Sequence, residues 1–284
     1  MNAVRLNQLV GSRVPRAGDA LILVLMFAIA GVVLFPIFWM LLTTLKTPAE
    51  VFSQPPTIVP GSPTLDNYAA AVRKVDFGRY VLNSFIVSGA VTAIHVPLVF
   101  LAGFGLAKFR FPGAGVLLLV FLGSLMIPLE AIMVPLFLII VDLGWVDSFQ
   151  GLIGPMAANA FGVLLVRQYA IQLPNSVIEA ARVEGASWAR IMTRIAVPIS
   201  WPAIGAAAVI IWRESWDAFL WPLLVVRSPD LYTLPLGLAR FQQSFATNYS
   251  ELMAISTLAM IPLVFVYLVA QRSFIRGIAS IGTT

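Results

Sequence analysis

Leu173–Pro202, LPNSVIEAARVEGASWARIMTRIAVPISWP, is a polar interval set between long apolar runs, and its reading decides the fold. Glu179, Arg182, Glu184, Arg190 and Arg194 stand here in a chain that otherwise carries little charge between its ends. Pro174 followed by Asn175 and Ser176 is a helix-start signature, in which side-chain oxygens cap orphan N–H groups. Gly185 interrupts the pattern, Ser187 can cap a second short helix, and Pro198 and Pro202 are expected to end it. The pattern reads helix, glycine turn, helix, held at a membrane surface. Ala180, Ala181 and Gly185 are small, so a partner surface can approach the backbone closely. Glu179 near the start of the first helix suits the positive end of its dipole, and Arg190 and Arg194 suit the negative end of the second. Two short capped helices form a stiff lever, although an amphipathic connector between membrane helices would share much of this pattern.

Composition sets the surroundings. Hydrophobic residues make up 60% of the chain and charged residues 11%, and the mean hydropathy is +0.92, all far from the soluble range. At roughly 20 residues per membrane span, 284 residues suit a bundle of about six helices with loops. The absence of cysteine excludes a disulfide framework and thiolate ligation, and the single histidine, His95, cannot build a multi-histidine site, so no metal site is expected. A net charge of +5 invites a nucleic-acid partner, but the cations sit at span ends, as in membrane proteins that contact lipid and no nucleic acid.

In chain order, residues 1–19 form a polar tail, and the apolar run 20–43 is too long for a signal peptide and lacks a small-residue cleavage site, so an uncleaved first span is expected. The interval 46–79 carries Pro48, Pro55, Pro56, Pro60 and Pro63, which predicts an external loop with one short helix near 65–75. Further spans are expected near 80–106, 115–140, 151–166, 203–226 and 252–270. The division is thus 1–19 tail, 20–79 first helix and Pro-rich loop, 80–272 transmembrane domain with the loop 173–202, and 273–284 tail. Six spans put both termini on one side. That side, with the loop 173–202, holds eleven Lys and Arg residues against six on the other, so it is expected to be cytoplasmic.

The loop also carries a family resemblance. Glu179-Ala180-Ala181, Gly185 after three residues, and Ile195-Ala196-Val197-Pro198 after nine more resemble the EAA loop of ATP-binding-cassette (ABC) importer permeases, with Val197 where leucine is usual. Lys108-Phe109-Arg110-Phe111-Pro112-Gly113, Met126-Ile127-Pro128, Trp216-Asp217-Ala218-Phe219-Leu220-Trp221-Pro222-Leu223 and Gln271-Arg272-Ser273-Phe274 resemble further stretches of the carbohydrate-type members, in order and at matching separations. The resemblance implies an all-α membrane protein with the type I importer permease fold, in the bacterial inner membrane. It implies that Glu179, Ala180, Ala181, Arg182, Gly185, Ile195 and Pro198 dock on an ATPase subunit. It further implies a second, different permease, two copies of the ATPase and an extracytoplasmic solute-binding protein as partners. No G-x-x-x-x-G-K-[ST] phosphate loop occurs, so this chain is expected to bind no cofactor, with ATP and Mg on the partner ATPase.

Ionisable groups at bilayer depth face a bundle interior or a watery cavity by default. Glu130, Glu214 and Asp217, with Trp216 and Trp221, are therefore the candidate translocation pathway for a di- or oligosaccharide, a polyol or a glycerol-phosphate compound. Aromatic faces and carboxylates are what a sugar ring requires. Arg213 and Asp217, four apart, can instead pair with each other, and His95 beside Pro97 reads as a packed histidine. The external loop 227–250, with Tyr232, Phe241, Phe245 and Tyr249, is a candidate contact for the binding protein, as the family uses its matching loop. An alternative of another class is a proton-coupled secondary transporter that relays protons through Glu130, Glu214 and Asp217. No nucleophile–base constellation points to catalysis.

Overall fold

The computed structural model describes residues 17–156, 160–244 and 248–279. Every regular element among them is helical. The described residues fall into two compact units, one holding those up to Ala70 together with 248–257, the other holding 71–244 and those from Leu258 onward.

The first unit begins with α1 (Ala17–Thr44), whose span Leu21–Thr44 has a mean hydropathy of 3.0 and no residue of its most apolar window buried. A helix apolar on every side satisfies its own backbone and leaves its side chains to lipid. The Pro-rich loop that follows closes on itself through polar contacts. Buried Lys46 donates to the Thr57 carbonyl and lies 4.7 Å over the Trp39 ring. After α2 (Pro48–Val51), Glu50 accepts from the N–H groups of Thr47, Gly61 and Ser62. The short helix expected near 65–75 is present as α3 (Asp66–Lys74), and its Asn67 amide donates to the carbonyls of Thr44 and Lys46 at 2.7 and 2.9 Å.

The second unit is organised by α4 (Phe77–Lys108), which packs chiefly on α8 (Ala160–Ile171) and α12 (Trp201–Trp216). Val87, Val91, Val99, Phe100 and Phe104 of α4 meet Val163, Val166 and Ala170 of α8 and Ile204, Ala207 and Ile211 of α12. Gly103 permits the closest approach. A Cβ there would lie 2.6 Å from the Val163 carbonyl oxygen, backbone that cannot move aside. α15 (Tyr249–Ala279) ends the described chain.

Among the described residues, three helices are long and apolar enough to cross a membrane, Leu21–Thr44, Phe77–Lys108 and Tyr249–Leu268, or up to five if each of two bent pairs is one span. The expected third span is such a pair. α5 (Ala114–Ser124) and α6 (Leu129–Asp142) meet at 101°, where Pro128 takes the extended N-cap position of α6. The expected fourth span, 151–166, falls on α7 (Phe149–Ile153), a turn at Gly154–Met156, and α8, whose 12 residues fall short of a bilayer. The expected fifth span breaks after Trp216, and α13 (Leu220–Val225) is a separate helix.

The organising loop folds into α9 (Asn175–Val183) and α10 (Trp188–Ile191), which continues through a π turn (Met192–Ala196) and α11 (Val197–Ile199). Trp188–Ile199 meets α12 at 77°. Pro198 stands next to the expected helix end. It lies one residue before the end of the helix that starts at Trp188, just after the π turn, and the helix stops at Ile199. The break falls at Ser200, ahead of Pro202 in the first turn of α12. The external loop 227–250 is also ordered where described, with a 3-10 turn (Pro229–Leu231) and α14 (Leu234–Ser244).

Candidate functional site

Two places collect the residues singled out above. In the loop, Gly185 has φ +81°, its N–H bonds to the Arg182 carbonyl, and the Ala186 N–H reaches back to Ala181. This pair of bonds is the Schellman closure of a helix C-terminus, for which glycine is the usual residue. The Ser187 hydroxyl accepts from the Arg190 N–H and starts the second helix as expected. The N-cap of α9 differs from expectation. Pro174 occupies it without a side-chain cap, and Asn175 Oδ1 instead accepts from Lys108 Nζ at 3.0 Å. Lys108 also donates to the Leu173 carbonyl, so the end of α4 is tied to the start of α9. Trp188 is held between Phe109, at 4.6 Å between ring centroids, and the Arg182 guanidinium at 5.3 Å.

Glu179, Ala180, Arg182, Gly185 and Pro198 present an exposed surface, and Val183 is 88% exposed beside them. Ala181 does not belong to that surface. With Ile178 it faces the core of the second unit, because α9 is amphipathic and these positions share its apolar face. Ile195 is half-buried and packs on the same core. Glu179 sits in the middle of α9, not at the N-terminus where the dipole argument had placed it.

The second place is a cavity of about 540 Å³ between α4, α6, α12 and α13. Glu130, Glu214, Asp217 and Trp221 all line it, together with His95, Ser215 and Phe219. Glu130 opens α6 beyond the 101° bend, whereas Glu214, Ser215 and Asp217 close α12. The Arg213–Asp217 pair forms, Nε to Oδ2, at 3.2 Å. Trp221 is only 2% exposed, packed with Met133, Ile140 and Val225, and its indole N–H donates to the Gly151 carbonyl at 3.0 Å, so it backs the lining and offers no free donor.

Trp216 departs from expectation. One residue from Asp217 along the helix, it turns to another face, stacks on Trp212 at 4.8 Å and packs with Tyr80 and Leu234. His95 is packed as expected, at 2% exposed, yet it also lines the cavity, and its Nε2 has no hydrogen-bond partner. The Ser215 hydroxyl is likewise buried and without a partner.

Among the candidate binding-protein contacts, Phe241 is 1% exposed in the core, which removes it from the surface. Tyr232 packs on Tyr80, with its carbonyl accepting from Asn83. Tyr249 starts α15 and meets Phe52 edge-on at 5.6 Å. Phe245 lies outside the described residues, as do Arg5, Arg13 and Arg16. Two polar clamps, neither anticipated from sequence, hold the segment 227–234. Asp147, at φ 56°, accepts from the N–H groups of Arg227 and Ser228 and from the Ser228 hydroxyl. Arg79 pairs with Asp230 at 2.7 Å, Asn83 donates to the Asp230 carbonyl, and the Ser84 hydroxyl accepts from the Leu234 N–H.

A family model described as "binding-protein-dependent transport system inner membrane component" matches residues 96–280, which include both places. The chain belongs to that family. It is 33% identical over 248 residues to the arabinooligosaccharides transport system permease protein AraQ of Bacillus subtilis, covering 86% of this chain and 88% of that one. It is 32% identical over 256 residues to the sn-glycerol-3-phosphate transport system permease protein UgpE of Brucella abortus, covering 87% and 91%. The fold matches a chain in the crystal structure of a bacterial ABC transporter involved in the import of the acidic polysaccharide alginate, at a TM-score of 0.80 and 23% identity over 93% of this chain and 99% of that one. This permease is therefore a multi-pass inner-membrane transport subunit with the ABC importer permease fold. Membership leaves the proton-relay alternative without support.

Proposed function

We propose that this permease is both conduit and lever in an ATP-driven importer of a carbohydrate or related solute, as the names of AraQ and UgpE suggest. One observation carries the reading. α12 ends at the cavity with Glu214 and Asp217, and it begins, through the 77° bend, at the end of the loop bearing Glu179 and Gly185. A push on the loop therefore has a short rigid route to the cavity. In this reading the termini and loop are cytoplasmic, and the exposed edge formed by Glu179, Ala180, Arg182 and Gly185 docks on an ATPase present in two copies. ATP and Mg²⁺ bind there and not on this chain. A second, different permease completes the pore, and a solute-binding protein delivers solute at the face of the segment 227–234.

Alternating access follows. ATP closes the ATPase dimer, the docked loop moves, and the cavity opens outward to receive solute. The test is site-specific photocrosslinking from position 179 in assembled complexes. Capture of a nucleotide-hydrolysing subunit is expected, and capture of extracytoplasmic proteins alone would sink the coupling assignment.

A further inference from the structure

We propose that His95 and Ser215 are a solute-holding pair, whose buried Nε2 and Oγ take neighbouring hydroxyls of a polyhydroxylated solute in the cavity. This rests on reading the cavity as the solute pathway. Both residues line it, at 2% and 6% exposed. Among the described residues, seven side chains hold a buried polar atom without a hydrogen-bond partner, and these two alone line the cavity. Buried polar atoms normally find partners, and leaving them unpaired is costly. A hydroxyl inside a helix can bond to the carbonyl a turn earlier, as Thr92 does to Ser88 and Thr257 to Met253. Ser215 makes no such bond. Elsewhere in the lining, Asp217 already pairs with Arg213 and the Trp221 N–H with the Gly151 carbonyl, so the buried demand rests on His95 and Ser215.

The chemistry of the pair selects a hydroxyl. An uncharged imidazole presents at Nε2 either a donor or an acceptor, according to its tautomer, and a serine hydroxyl presents both. A solute hydroxyl also donates and accepts, so it satisfies either tautomer. An ammonium group only donates and an ionised carboxylate only accepts, so each fits one tautomer alone. His95 belongs to α4 and Ser215 to α12, so the pair approaches a solute from two walls. A row of hydroxyls on adjacent carbons offers each wall its own partner. Leu129 and Leu220, both exposed at the lining, supply apolar surface to the carbon skeleton. The volume of about 540 Å³ is within the range of about 300–1,000 Å³ typical of small-molecule sites.

The experiment follows the His95 Nε2 resonance by nitrogen NMR in the intact, histidine-labelled complex in nanodiscs, without binding protein. His95 is the single histidine of this chain, and its signal is the one lost in His95→Gln. Arabinotriose and sn-glycerol 3-phosphate are added separately at equal concentration. The probe that moves the resonance identifies whether a sugar or a glycerol ester supplies the hydroxyls. Ser215→Ala should raise the concentration for half-maximal response about fivefold, the effect of one lost hydrogen bond. Ser88→Ala removes a buried, unpaired hydroxyl of α4 outside the lining and should leave the response unchanged. A resonance indifferent to both probes, a response unaltered by Ser215→Ala, or one weakened equally by Ser88→Ala overturns the proposal. Protection of Ala218→Cys, at the lining, from a small maleimide separates this from failure of the pathway reading. Protection by a probe that leaves Nε2 unmoved keeps the pathway and discards the pair. Neither protection nor movement discards both.

Discussion

Gly185 has ample space, with nothing within 4 Å of a Cβ built on it, yet its φ of +81° admits few other residues. The sequence argument for a small residue was close approach by a partner, but the folded chain gives a nearer reason, the left-handed closure of α9. An L-residue in that conformation costs about 1–2 kcal/mol, most for a β-branched one and least for asparagine. Gly185→Val is therefore expected to insert normally but to misdirect α10, lowering recovery of the ATPase subunit on co-purification. Gly185→Asn should retain most of it. Equal recovery from both variants would show that the backbone conformation is irrelevant to docking.

At the level of elements, the lever is only as stiff as its anchor, and the anchor is Lys108 with Trp188. Hydrogen bonds from a charged donor contribute about 1.5–3 kcal/mol, and the exposed setting of the Asn175 contact argues for the lower end. Lys108→Met should raise amide exchange through α9 and weaken ATPase stimulation by solute, and Lys108→Arg should restore part of both. Unchanged exchange would mean that α9 is held by Ile178 and Ala181 alone. The Asp147 clamp gives a pH signature. Donation by the Ser228 hydroxyl, then by the Ser228 and Arg227 N–H groups, holds this carboxyl below its usual range. A lowered value means that the stabilisation is complete above the ordinary carboxylate pKa of about 3.9 and is lost as pH falls through the lowered one. Protection factors at the Arg227 and Ser228 amides should stay level from neutral pH to about 5 and fall only below about 4, while Asp147→Asn should flatten that fall. The helix–turn–helix was legible because glycine, serine and charge punctuate it. Which side of α12 faces the cavity was not, since helices apolar nearly all round carry no facial signal, and so Trp216 was included and His95 set aside. The break inside the third expected span had a signal in Pro128, which the apolar run around it overrode, and the break after Trp216 falls where Asp217, with Arg213 and Glu214, interrupts an apolar run.

On the scale of the whole molecule, the membrane class followed from composition, because no soluble core accommodates 60% hydrophobic residues in a chain with 11% charged ones. The proposed orientation rests on a different quantity, the placement of cations, which on the expected six spans puts eleven on the side of the loop against six on the other. Arg5, Arg13 and Arg16 supply part of that bias, and Arg182, Arg190 and Arg194 in the loop supply as much again, so the asymmetry does not depend on one segment. The chain contains no cysteine, which makes single-cysteine accessibility a clean readout. Glu179→Cys and Asp230→Cys change exposed carboxylates, one on α9 and one in the 3-10 turn before α14. In intact spheroplasts a membrane-impermeant maleimide should label position 230 and spare position 179, with labelling of position 179 appearing after permeabilisation. Labelling of position 179 from outside would invert the topology and detach the loop from any cytoplasmic ATPase. Labelling of both positions from outside would mean that an odd number of crossings fails to separate them, which would challenge the passage of α12 through the bilayer.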